Sequence, residues 1–197
     1  MSEVHEQMEH AEHAAESNRK IALLIAVLAL FLSFSETLGK SAQTEAIGAN
    51  VESSNLWAFF QAKSVRGTQL RTAAEEMKIA ASAQSDPAIK AAMDQQIAAW
   101  DKTAARYESE PETKEGRKEL SERAKAAEED RDVALAKYHH YELASAAFQI
   151  GIVLASAAVI TGMIALAWFA AGLGLAGMVL LALGLFAPHA VPLLALL

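Results

Sequence analysis

The sequence predicts an all-α integral membrane protein with three transmembrane helices and a long extramembrane, coiled-coil-like helical hairpin between the first and the second. Three observations predict it. The run 143–197 holds no Asp, Glu, Lys or Arg, and a second apolar run, 21–38, holds a single ionisable residue, Glu36, near its far end. Between them, residues 41–141 are rich in Ala, Glu, Lys and Gln, show no strand-type alternation, and place apolar residues at spacings of three and four.

The chain opens on an acidic, His-bearing tail, 1–18, with Glu3, His5, Glu6, Glu9, His10, Glu12, His13 and Glu16. A cleaved signal would start basic with a short apolar core, so residues 19–39 are expected to stay as the first membrane helix. If the tail is helical, His10 and His13 share a face with Glu6 and Glu9, a spacing that suits a divalent metal. The plainer reading, which we adopt, is a solvated tail whose histidines titrate near neutrality.

Near the end of the first span stand Ser33, Ser35, Glu36 and Thr37. An ionisable group in hydrocarbon is costly. Glu36 either reaches the headgroups past Gly39-Lys40 or bonds to Gln149, which lies a similar short distance inside the second span on the same membrane face. Glu36 and Gln149 are therefore the intramembrane polar candidates.

Residues 40–142 form the predicted hairpin. The first span leaves the membrane and the second re-enters from the same side, so the number of chain reversals between them is odd. Asp86-Pro87 supplies one: Asp caps a helix and Pro opens it. The reversal is placed at 85–87, and Glu110-Pro111-Glu112 is expected only to kink the return arm near 110–112. The apolar spacing runs through Leu56, Phe60, Lys63, Gly67, Leu70, Ala74 and Met77 outward, then through Met93, Ile97, Trp100, Ala104, Tyr107, Leu120, Ala124, Ala127, Ala134, Tyr138 and Tyr141 on the return.

Trp57, Phe59 and Phe60 cover most of a helix circumference, whereas one partner buries a single stripe. Two outcomes stand open: contact with another subunit, or with lipid headgroups if the hairpin tilts, against Trp57 and Phe60 filling the hairpin core with Tyr138 and Tyr141.

The apolar run 143–197 is too long for one crossing of roughly 30 Å, which takes about 20 helical residues. It must fold back. A turn at Thr161-Gly162, where Gly supplies a left-handed residue, leaves spans 143–162 and 163–187. The alternative, Ala171-Gly172, makes one span long and puts Pro188 inside the other. Pro188 and Pro192 end regular helix, so residues 188–197 are expected to lie at the interface as an apolar tail.

Small residues recur along these spans. Ala147, Gly151 and Ala155 stand four apart, and Gly172, Gly174 and Gly177 match a dinucleotide-binding spacing. That fingerprint needs a preceding strand, so inside an apolar span it reads as close helix packing. Trp57, Phe59, Phe60, Ala147, Gly151, Ala155, Gly174 and Gly177 are thus the candidates for helix packing or oligomer contact.

The block Leu56-Trp57-Ala58-Phe59-Phe60-Gln61-Ala62-Lys63-Ser64, followed by a charged helical middle and by Ile152-Val153-Leu154-Ala155-Ser156 leading to Ile160-Thr161-Gly162, resembles a bacterial membrane-protein family known only as a domain of unknown function. The resemblance covers nearly the whole chain. It implies three spans with a turn after Thr161-Gly162, in a bacterial inner membrane, and it supplies no activity, since none is established for the family. Family members carry polar or basic residues directly after that Thr-Gly, where this chain has Met163-Ile164.

Arg19 and Lys20 before the first span, against Lys40 after it, favour a periplasmic hairpin. The net charge of −7 argues against nucleic-acid binding, and the absence of cysteine removes disulfides and thiolate metal sites. No nucleophile and base arrangement and no phosphate loop emerges. His139-His140, between Tyr138 and Tyr141, could take a metal or a proton, but reads first as an aromatic interfacial belt.

The expectation is therefore a non-enzymatic scaffold, with no catalytic residue, cofactor or metal. Its partners are the lipid bilayer and further copies of itself. The alternative is a pore or transport-associated subunit whose path Glu36, Gln149, Ser145 and Ser156 would line. A metal enzyme using His139-His140 or the N-terminal histidines comes third.

Overall fold

The computed structural model describes residues 2–190, with side chains from residue 18 onward. They form four helices, α1 (Ser2–Ser82), α2 (Pro87–Glu108), α3 (Arg117–Thr161) and α4 (Ile164–Phe186), and no strand occurs among the described residues. α1 from Asn18, α3 and α4 are each long and apolar enough to cross a membrane. The side chains of the tail histidines and the segment 191–197 lie outside the described residues.

Local chemistry explains each helix end. Asp86 caps α2: its carboxylate accepts from the Ala88 N–H at 2.8 Å, and Pro87 opens the helix where a missing N–H costs nothing. α3 stops at Gly162, which adopts φ +72°, the left-handed conformation that glycine takes without steric cost. The alternative turn at Ala171-Gly172 is not used, since both residues lie inside α4. α4 closes with the Ala187 N–H on the Leu183 carbonyl at 2.8 Å, one residue before Pro188.

One expectation changes. Residues 109–116 are a full interruption of the helix rather than a kink. Pro111 removes a backbone donor and disfavours helical geometry at Glu110. Lys114 has φ 57°, and Glu119, in the first turn of α3, reaches back to accept from the Ser109 hydroxyl at 2.5 Å and the Glu110 N–H at 3.1 Å. Gly116 is required there, because a Cβ would collide with the backbone of Ser109 and Glu110.

The chain divides into two compact units, Met1–Ala46 with Asp132–Leu197, and Ile47–Arg131. In the first, α3 buries Tyr141, Ala144, Phe148, Gly151, Ala155 and Ala158, and α4 buries Ala167, Ala170, Gly174, Gly177 and Gly184. These steps alternate between three and four, with one step of seven from Gly177 to Gly184, the seam of helices that pack side by side. The small residues let large ones in. Leu28 of α1 lies against Gly151 and Gly174, the Phe148 ring against Gly177, and Tyr141 against Gly184.

In the second unit, Leu56, Leu120, Ala124 and Ala127 form the core, with Trp57 and Phe60 packed on it. Lys78 pairs with Asp101 at 3.0 Å and Arg71 with Glu108 at 3.1 Å, while Ser53 meets Glu128. As numbers fall along α1 they rise along α2 and then α3. Both therefore run antiparallel to α1, and the chain reverses between Ser82 and Pro87 but not at 109–116.

Candidate functional site

Two sets of side chains in the described residues go beyond simple packing, one in each unit. The first is a polar groove of ≈ 370 Å³ lined by Ser35, Glu36, Gly39, Lys40 and Gln43 of α1 and Tyr138, Tyr141, Glu142 and Ser145 of α3. Its floor is tight because Ser35 is fully buried, with its hydroxyl donating to the Tyr141 carbonyl at 2.8 Å. Gly39 also lies against Tyr141.

Charged groups stand along the rim. Gln149 donates to Glu36 at 3.4 Å, so the structure brings these two residues together. The contact is long and both side chains are exposed, which makes it weak. Across the groove the Tyr138 hydroxyl donates to Glu142 at 3.3 Å, and His139 Nδ1 lies 3.9 Å from the same carboxylate. The negative charge of Glu142 raises the Tyr138 phenol above its ordinary range, helped by partial burial and by the hydrogen bond.

The second set is built on the aromatic block. Trp57 Nε1 donates to Glu128 at 2.8 Å, and Trp57 meets Phe60 edge to face at 5.4 Å. Phe60 lies beneath the Arg117 guanidinium at 4.9 Å, and Arg117 in turn bonds Glu108 at 2.9 Å, the carboxylate that also takes Arg71. Lys63 is buried, its ammonium 4.9 Å from the Tyr107 ring, 5.2 Å from Phe59 and 3.9 Å from Glu115.

These contacts give the block a structural role. They clamp α1 to both sides of the interruption at 109–116, holding the end of α2 through Tyr107 and Glu108 and the start of α3 through Arg117. Trp57 and Phe60 thus meet Leu120, Ala124, Ala127 and Glu128, whereas Tyr138 and Tyr141, the core partners weighed as one of the two outcomes, belong to the other unit. Helices paired antiparallel after a single reversal face each other at equal path lengths from it, and that register places Trp57 opposite the first turns of α3. Phe59 stays partly exposed, beside a groove of ≈ 520 Å³ that it lines with Val51, Glu52, Glu115 and Arg123.

The small-residue candidates sit inside the first unit. Gly151, Ala155, Gly174 and Gly177 are buried between helices of the same chain and Ala147 is half-buried, whereas Gly172 is exposed. Gly184 was missed, although it stands one heptad past Gly177 on the face of Ala170, Gly174 and Gly177.

The aromatic belt also needs correction. His140 and Tyr141 are buried, and only Tyr138 and His139 reach outward, because consecutive helical residues point about 100° apart. His140 Nε2 lies 3.1 Å from the Pro188 carbonyl, which can only accept, so this nitrogen carries the proton. Among the described residues Nδ1 has no partner.

A family model described as "Domain of unknown function (DUF4337)" matches residues 17–187. No curated protein and no solved structure matches the chain.

Proposed function

Because the chain belongs to the DUF4337 family, whose description assigns no activity, we propose from its own residues that it is a non-enzymatic, membrane-anchored helical scaffold that assembles with further copies of itself. Residues 19–39, 143–162 and 163–187 are its three spans, and 40–142 its extramembrane hairpin. The bilayer is the inner membrane of a bacterium, and the hairpin faces the periplasm.

The observation that carries this reading is the continuity of α1. One helix of 81 residues runs from the apolar stretch into the charged one without a break. A helix satisfies its backbone hydrogen bonds within the segment, so one continuous element can serve both as a membrane span and as part of the arm. The polar side chains of that arm support the same reading, because Arg71, Lys78, Glu108, Arg117 and Glu128 are engaged in holding helices together. Self-assembly is supported by apolar residues that the arm leaves outward, Ile47, Val51, Val65 and Ile79.

Mass measurement of the purified full chain in lipid nanodiscs tests assembly. Several copies per particle are expected, and a uniform monomer would overturn the scaffold reading. A pore or transport-associated subunit is the second reading, favoured by the outward-facing Glu36 and Gln149. Ion flux through liposomes holding the purified chain would support it.

A further inference from the structure

We propose that the groove between α1 and α3 in the first unit is a binding site for the headgroup of a zwitterionic phospholipid bearing a primary ammonium, of the phosphoethanolamine type. The inference rests on the membrane reading above and adds a ligand to it.

Position is the first argument. The groove lies where both helices change character: the apolar run of α1 ends at Leu38, and that of α3 begins at Leu143. Its lining runs from Ser35 to Gln43 on α1 and from Tyr138 to Ser145 on α3. The α1 stretch spans about 12 Å, enough to cover the ~5–8 Å headgroup layer of one leaflet. Leu32, one turn before Glu36, and Ile152, three residues past Gln149, are half-buried and continue the same faces into the apolar stretches. They give an acyl chain a surface to lie on.

The charge pattern is the second argument. Two carboxylates, Glu36 and Glu142, stand on opposite walls, with Lys40 one turn from Glu36. Lys40 forms no ion pair among the described residues, although Glu36 is four positions away on its own helix. Its ammonium therefore stays available for a phosphate, while the two carboxylates can accept N–H bonds from a primary ammonium. His139 and Tyr138, both beside Glu142, and Tyr141 are the remaining titratable neighbours, and Glu142 already accepts one hydrogen bond, from the Tyr138 hydroxyl.

With one lysine against two carboxylates, the groove carries an excess negative charge at neutral pH. An anionic headgroup such as phosphatidylglycerol meets net repulsion here, and a trimethylammonium headgroup has no N–H to donate. The predicted order is phosphatidylethanolamine above phosphatidylcholine, with phosphatidylglycerol last. Ordinary attraction of basic side chains to anionic lipid would give the opposite order.

Native mass spectrometry of the full chain, released from nanodiscs of equal phosphatidylethanolamine, phosphatidylcholine and phosphatidylglycerol, tests the site. Retained phosphatidylethanolamine should exceed phosphatidylcholine by roughly fivefold, the share of one exposed charge-assisted contact. The double variant Glu36→Gln/Glu142→Gln should bring the two to parity, and Glu52→Gln, outside the groove, should leave the preference unchanged. Soluble phosphoethanolamine at millimolar concentration should fail to displace the lipid.

Equal retention in the wild type, a preference for phosphatidylglycerol, or a preference surviving in the double variant would each overturn the proposal. So would displacement by soluble phosphoethanolamine, which would place recognition in the free headgroup rather than the lipid. Vesicle flotation separates the two levels: a chain that floats without lipid preference loses only the site, and one that does not float loses the membrane reading as well.

Discussion

Single residues decide how closely the helices approach. At Gly177 an added Cβ would lie 2.7 Å from Cε1 of the Phe148 ring, which also stacks on Phe31 with centroids 5.9 Å apart. The ring is fully buried, so any shift disturbs its neighbours. Gly177→Leu is therefore expected to destabilise the first unit by about 1–3 kcal/mol through overpacking, read as earlier loss of helical signal on heating in detergent. Gly172→Leu, at an exposed site with open space around it, should change little. Equal tolerance at the two positions would refute the placement of α4. The sequence pointed to both glycines through one false nucleotide motif, and only the three-and-four spacing separates the packed position from the exposed one.

At the scale of the element, the interruption at 109–116 is the feature with its own pH dependence. The Ser109 hydroxyl, the first cause, and the Glu110 N–H bond the ionised form of Glu119, which lowers its pKa from the usual carboxylate value. Glu110 is lowered chiefly by its hydrogen bond from Arg106, with Thr113 and the Arg106 and Lys63 charges adding. A depressed folded pKa contributes stability above the unfolded value, near 4.5, and that contribution disappears as pH falls through the folded value. Hydrogen exchange at Ser109, Glu110 and Leu120 is expected to accelerate as pH drops below about 4.5 relative to intrinsic rates. Glu119→Gln should flatten that dependence, and an unchanged profile would refute the bonding scheme.

The same element marks the limit of what could be read from sequence. Pro111 announced a disturbance, and Asp86-Pro87 announced the reversal and its cap correctly, because both act through their own backbone. The depth of the break was not legible. It depends on Glu119 reaching back ten positions to Ser109 and on Gly116 lying against backbone, contacts that no local propensity encodes. The aromatic block shows the same boundary. Three aromatics in four residues signalled more than one contact, yet only the paired register reveals Arg117, Tyr107 and Glu128 as what they touch. The contact of Gln149 with Glu36 was one of two alternatives the sequence left open, since a polar residue near the end of an apolar run can turn to another such residue or to solvent.

For the whole molecule, the account rests on the division of the chain between oil and water. The absence of cysteine makes this directly measurable, because any introduced thiol is unique. Single substitutions Leu30→Cys, Val153→Cys and Val179→Cys would probe the three apolar stretches, and Ser64→Cys and Gln84→Cys the charged arm. In sealed membrane vesicles of one orientation, a membrane-impermeant maleimide should label positions 64 and 84 alike from one face only. Positions 30, 153 and 179 should stay unlabelled until detergent is added. Labelling of 30, 153 or 179 in intact vesicles, or opposite sidedness of 64 and 84, would contradict the three-span architecture.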